Sequence, residues 1–190
     1  MTTTIQTPET YRIGEADIEC RYPVTLGEWF LGRIFRWHGA WYAVAAGTGE
    51  ETRVADGSVG KELAARHLYD EFMAGRITAM RQADSEAEAP VLFGPVPLLH
   101  SRMPVNDRNV EAAHVAMAGL TIYQWTPFGG YPGSDNPWYL RCELCGWSGP
   151  RYWSHLRGRN GNPPSPNRHA KYKKCVGKEK VRELITAYQQ

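Results

Sequence analysis

Three cysteines and two histidines near the C-terminus have the types and spacing of a metal site. Cys142 and Cys145 form a CxxC pair, and Gly146 follows. At this spacing two thiolates reach one ion, because the glycine lets the backbone turn back without a Cβ clash. A closed tetrahedral site needs two more ligands, and three candidates lie downstream. The sequence predicts a Cys3His zinc site of Cys142, Cys145, His169 and Cys175, with His155 as the alternative to His169.

Two other interpretations of the CxxC pair remain open. A thioredoxin-like redox motif needs a strand–helix–strand context that the surrounding sequence lacks, and the cysteines can also be buried apolar residues without a metal. Residues 120–190 contain few aliphatic side chains, and 146–174 are rich in Pro, Gly, Asn and basic residues. Burial alone does not offset the chain entropy of such a segment, so a metal cross-link is favoured. Cys20 has no neighbouring partner and is interpreted as structural.

Charge is unevenly distributed along the chain. Residues 141–190 carry 11 Lys+Arg and 3 Asp+Glu, a net charge of +8, whereas residues 1–140 carry a net charge of −6. Aromatic residues alternate with arginines in the basic part, a pattern that suits base stacking and phosphate contacts. A solvated basic surface, with the aromatic rings covering the zinc core, is the alternative. The predicted nucleic-acid contacts are Arg151, Trp153, Arg157, Arg159, Arg168, Lys171, Lys173 and Lys174.

The elements that must position these residues fall into two groups, which predicts an α+β protein. Residues 13–82 are expected to form a small β-sheet plus helix unit, since a hairpin, a third strand and a helix can be assigned at 29–35, 41–45, 51–55 and 61–74. An acidic run and a Pro-rich piece predict a linker over 83–105. In the region 106–190 we expect a helix over 108–118 ended by Gly119, a strand over 120–125 and a last helix over 178–188.

The C-terminal part resembles a treble-clef zinc-finger domain common in actinobacterial and phage proteins of unknown function. The resemblance rests on Ala118-Gly119-Leu120, Gly-Tyr-Pro-Gly-Ser at 130–134, Pro137-Trp138, Arg-Cys-x-x-Cys-Gly at 141–146 and Pro150-Arg151-Tyr152. In that family the second ligand pair is another CxxC at the head of a helix. Here Tyr172 stands where its first cysteine is expected, so the resemblance implies that His169 substitutes for it. It implies a fold and a metal, and no catalytic activity.

These observations predict a zinc-containing nucleic-acid-binding regulatory protein of bacterial or phage origin, with DNA favoured over RNA. The alternative is a protein-interaction module, including a phage-encoded inhibitor of a host complex. An HNH-like nuclease is a minor alternative: His155, Asn160 and His169 occur in the required order, but no adjacent acidic residue helps to hold a catalytic ion. We expect a cytoplasmic protein that is not an enzyme, because catalytic fingerprints, a signal peptide and a membrane-length apolar run are all missing from the sequence.

Overall fold

A computed structural model describes residues 10–82, 95–159, 161–169 and 175–189. These residues form two compact units, one containing 10–15 and 21–82, the other containing 16–20 and the described residues from 95 onward. Each unit combines helices with an antiparallel sheet, so the predicted α+β class is confirmed. Within the described ranges, no helix has the length and apolar character needed to cross a membrane.

The first unit is built on an antiparallel sheet, in which the strands from β1 to β5 lie in sequence order and β6 pairs with β3. The hairpin predicted at 29–35 and 41–45 is confirmed, and residues with β-branched and aromatic side chains fill both arms. The strands of this sheet are β1 (Arg12–Ile13), β2 (Tyr22–Leu26), β3 (Trp29–Trp37), β4 (Ala40–Ala45), β5 (Glu51–Asp56) and β6 (Met80–Arg81).

One helix covers the sheet of the first unit. Helix α1 (Gly60–Met73) buries Ala64, Ala65 and Leu68 against β3 and β4, which confirms the helix predicted at 61–74. The small residues let the helix approach closely, and the Trp41 indole N–H donates to the carbonyl of Gly57 at 3.1 Å. The first unit therefore has a hydrophobic core of its own.

The second unit places a helix beside a short antiparallel sheet with the order β7-β8-β9. Its core buries Leu120, Trp125, Trp138, Leu140 and Trp153, so aromatic side chains supply much of the burial that aliphatic ones lack. Its elements are α2 (Asp107–Ile122), β7 (Trp125–Pro127), β8 (Trp138–Cys142), β9 (Ser148–Arg151), α3 (Trp153–Leu156), α4 (Lys178–Leu184) and a 3-10 helix (Thr186–Tyr188).

The prediction that Gly119 ends the second helix is wrong. Helix α2 continues to Ile122, and the strand predicted over 120–125 begins only at Trp125. A Cβ on Gly119 would lie 2.1 Å from the Trp153 ring, so this glycine makes room for an aromatic side chain within the helix. The last predicted helix is also interrupted, because Ile185 has an extended backbone (φ −129°, ψ 102°) between α4 and the 3-10 helix.

Residues 95–105, which the sequence assigns to a linker, belong to the second unit. The Tyr131 N–H donates to the carbonyl of Leu98 at 2.9 Å, and the His100 N–H donates to the carbonyl of Tyr131 at 3.0 Å. Leu98 and Leu99 pack against the core of this unit. The rest of the predicted linker, 83–94, lies outside the described residues.

Candidate metal centre

Four side chains of the second unit converge on one point. The sulfur atoms of Cys142, Cys145 and Cys175 and a ring nitrogen of His169 all lie within 4.8 Å of one another. These are the four residues that the sequence predicts as ligands. Sulfur atoms bound to one tetrahedral zinc lie about 3.8 Å apart, since each Zn–S bond is about 2.3 Å. The four atoms therefore lie close to the separations that one bound ion would give them.

The CxxC pair lies in the turn between β8 and β9. Cys142 is the last residue of β8, and its carbonyl accepts from the Gly146 N–H at 2.8 Å. The Cys142 N–H in turn donates to the carbonyl of Trp147 at 2.8 Å. Gly146 has φ +76°, the left-handed conformation that glycine adopts without strain. This turn places Cys142 inside the unit and leaves Cys145 exposed.

His169 reaches the cluster from the segment that precedes α4. Its Nε2 lies 3.1 Å from the Cys145 sulfur, and its ring stacks on Trp147 with centroids 4.6 Å apart and planes at 22°. Trp147 thereby fixes the orientation of the imidazole, a contact that the sequence alone did not assign. His155 is exposed, lies beside the Tyr152 ring at 5.2 Å and is not part of the cluster.

The protonation behaviour of the four groups follows from their surroundings. Burial raises the pKa of the Cys142 thiol, but the hydrogen bond and positive charge of Arg168 outweigh it, so this pKa is lowered overall. Burial and the neighbouring Cys142 raise the pKa of Cys175 to about 12. Burial, followed by the charges of Arg151 and Arg168, lowers the pKa of His169. His169 is therefore neutral at pH 7, the form that ligates metals.

Two of the predicted nucleic-acid contacts have buried side chains. Trp153 is 5% exposed and packs against Gly119 in the core, where its ring is out of reach of a base. Arg168 is 2% exposed, and its guanidinium is directed into the protein beside Cys142. Trp153 lies in the same hydrophobic core as Cys142, and Trp147 stacks on His169, so both rings pack near candidate ligands.

The remaining predicted contacts differ in accessibility. Arg157 and Arg159 are exposed at the end of α3 and in the loop after it, whereas Arg151 is half-buried in β9. Arg157 and Arg159 border a wide, shallow depression of about 730 Å³. The Arg159 guanidinium lies 3.7 Å from a carboxylate oxygen of Asp135. The predicted contacts Lys171, Lys173 and Lys174 lie outside the described residues.

The donor set can hold a metal ion and resembles that of structural zinc sites. Three thiolates and one imidazole are soft to borderline ligands, which favour zinc over magnesium or calcium. Four protein ligands also complete a tetrahedron without an open position for water or substrate. The arrangement therefore suits a stabilising metal centre.

The choice between the two histidines leads to a direct test. We expect His169→Ala to weaken zinc binding at least about tenfold, since losing a direct ligand costs more than losing one of its hydrogen-bond partners. His155→Ala, a matched change on an exposed ring, is expected to leave zinc affinity unchanged. Competition with a chromogenic chelator measures both, and the reverse order of effects would assign the fourth ligand to His155.

Comparison with protein-family models, curated proteins and solved structures finds no match to this chain.

Proposed function

We propose that the second unit is a treble-clef module built around one structural zinc ion. The observation that carries this proposal is the convergence of Cys142, Cys145, His169 and Cys175 within 4.8 Å. The CxxC turn between β8 and β9 and the helix α4 that begins after Cys175 support this proposal, because the treble-clef resemblance implies a CxxC turn and a second ligand position at the head of a helix. Zinc analysis of the protein purified without added metal tests this proposal. We expect about one equivalent per chain, and a folded, metal-free protein would contradict it.

We further propose that this module binds nucleic acid, DNA in preference to RNA, in a regulatory role. The net charge of +8 over residues 141–190 attracts polyanions, and Arg157 and Arg159 are exposed together at the rim of one depression. Because Trp153 and Arg168 are buried, base stacking by Trp153 is no part of this proposal. Contacts to phosphate are what remains, and these suit the backbone of a duplex.

The salt dependence of DNA affinity tests this proposal. Each neutralised phosphate contributes about −0.9 to the slope of log K against log salt, so replacing both Arg157 and Arg159 with Ala should flatten the slope by up to about 1.8. Fluorescence anisotropy with a labelled duplex measures the slope at several salt concentrations. A matched control removes two exposed arginines of the first unit, Arg53→Ala with Arg66→Ala, and should leave the slope unchanged.

A protein partner is the second candidate, and an exposed apolar pair on α2 favours it. Val115 and Ile122 are each 61% exposed and lie seven residues apart, so they share one face of the helix. Co-purification from a native host separates the two candidates. Partners that are lost after nuclease treatment support nucleic acid, whereas partners that persist support a protein complex such as one that a phage protein would inhibit. Absence of duplex binding at low salt would reject the nucleic-acid proposal.

A further inference from the structure

Arg168 is a buried cation whose hydrogen bonds lead to Cys142 and to the end of α2. Its Nε–H donates to the Cys142 sulfur at 3.0 Å, and its two terminal nitrogens donate to the carbonyls of Tyr123 and Gln124, each at 2.6 Å. The guanidinium carbon lies 4.3 Å above the Trp125 ring. The Arg168 side chain is only 2% exposed, which is unusual because arginine is almost never fully buried unless it is paired.

The cysteine cluster would be the electrostatic partner of Arg168 once its thiols bind a metal as thiolates. Among the described residues, no carboxylate forms an ion pair with this guanidinium. A buried charge without an opposite charge is strongly destabilising, so an anion is required near it. Three thiolates around a Zn²⁺ ion carry a net charge of −1, which one guanidinium neutralises. The position of Arg168 is thus understandable if the neighbouring cysteines are metal-bound thiolates.

The other two hydrogen bonds tie the same guanidinium to the end of α2. Tyr123 caps this helix, and Gln124 follows it with a left-handed backbone at φ +54°. Carbonyls at a helix C-terminus lack intrahelical partners and need donors from elsewhere. Arg168 donates to the carbonyl of the cap residue Tyr123 and to that of Gln124, which also accepts from the Glu143 N–H at 3.1 Å, so one planar side chain bridges the candidate ligand Cys142 and the end of α2.

We propose that Arg168 is the positioning residue of the metal centre, which neutralises the cluster, orients Cys142 and couples metal binding to the C-terminal end of α2. This inference rests on the proposed zinc site. The metal-ligating role belongs to the four side chains alone, and Arg168 acts through Cys142. Hydrogen-bond partners of metal ligands typically contribute about 10- to 100-fold to metal affinity.

Titration of the full chain with Co²⁺ tests the inference, since tetrahedral thiolate sites give visible d–d bands and sulfur-to-cobalt charge-transfer bands. We expect Arg168→Gln to weaken Co²⁺ binding about 10- to 100-fold and to shift the charge-transfer band, because a thiolate without its N–H donor is a stronger electron donor. Arg168→Lys keeps the charge but not the planar fork, so its Co²⁺ affinity should lie between those of Arg168→Gln and the unmodified protein. The control Arg157→Gln, an exposed arginine, should match the unmodified protein.

Amide hydrogen exchange at the end of α2 supplies a second readout. A purely structural role of Arg168 would not make this exchange depend on Co²⁺. Co²⁺ should slow exchange at the Tyr123 and Gln124 amides, which bond to the carbonyls of Gly119 and Thr121, and this effect should be lost in Arg168→Gln. If Arg168→Gln unfolds the second unit, Arg168→Lys decides the question. Unmodified binding and spectra in both Arg168 variants would overturn the inference and leave the zinc site intact. Failure of the unmodified protein to bind Co²⁺ or Zn²⁺ would reject the site and the inference together.

Discussion

Removing the metal, by chelation or by Cys175→Ala, is expected to release α4 and the 3-10 helix from the second unit. These elements are held by a small cluster of Val181, Ile185 and Tyr188, whose burial is too limited to hold the segment without a cross-link. Zinc binding in small domains contributes about 10–16 kcal/mol, so its loss exceeds what such a cluster supplies. Hydrogen exchange should therefore show loss of protection at the Val181 and Ile185 amides, with metal content falling from about one equivalent towards zero.

Loss of protection should stop short of the aromatic core of the second unit. Leu120, Trp138 and Trp153 lie in a core of ten buried residues, of which Cys142 alone is a candidate ligand, so we expect α2 and β7–β9 to keep most of their protection. Cys20→Ala is the matched control, because it removes a buried thiol that is not in the cluster and should leave the metal in place. Unchanged protection of α4 in the metal-free protein would contradict the stabilising role of the metal.

Gly32→Ala is expected to have the largest effect on the first unit. Gly32 has φ +150°, and a Cβ there would lie 2.2 Å from the carbonyl oxygen of Val44 and 3.0 Å from the Cα of Ala45. Both obstacles are backbone atoms of β4, so no side-chain rotation relieves the clash and the β3–β4 pairing must separate. We expect a loss of about 3 kcal/mol or more, equivalent to a fall of roughly 10 °C or more in Tm.

Thermal unfolding with parallel zinc analysis measures this effect. The variant should lose stability in the first unit while retaining about one equivalent of zinc, because all four ligands belong to the second unit. Gly49→Ala is the control: it has open space around the new Cβ, and its expected change is within about 0.5 kcal/mol. If Gly32→Ala unfolded at the same temperature as Gly49→Ala, β3 and β4 would be able to move apart with little loss of stability, and the prediction would be contradicted.

The candidate ligands could be predicted from sequence because metal chemistry restricts both residue type and spacing. A CxxC-Gly turn in this context is most often a metal-binding turn, and only His155, His169 and Cys175 lie downstream as candidates for the other two ligands. The hairpin and helix of the first unit were equally accessible, since their apolar periodicity and turn residues are local. The register of β3 with β6 has no such local signal.

Burial was the part that the sequence could not supply. An arginine or a tryptophan in a basic segment has the same local pattern whether it faces solvent or the core. The burial of Arg168 and Trp153 depends on residues that are distant in sequence. Arg168 meets carbonyls more than forty positions away, at separations of 45 and 44. The prediction that Gly119 ends α2 fails for the same reason, because this glycine makes room for the ring of Trp153, which is distant in sequence.

Of the chain between the two halves of the metal site, the part after α3 contains neither a helix nor a strand among its described residues. Cys145 and His169 are 24 positions apart, and the exposed turn in which Arg159 and Asn162 pair lies between them. Loop-closure entropy grows only with the logarithm of length, so doubling such a loop costs about 0.6 kcal/mol. The spacing within the CxxC turn, by contrast, is set by bond geometry. Sequence length can therefore vary in the turn in which Arg159 and Asn162 pair, after α3, and this turn is the natural place for an insertion that leaves the metal site unchanged.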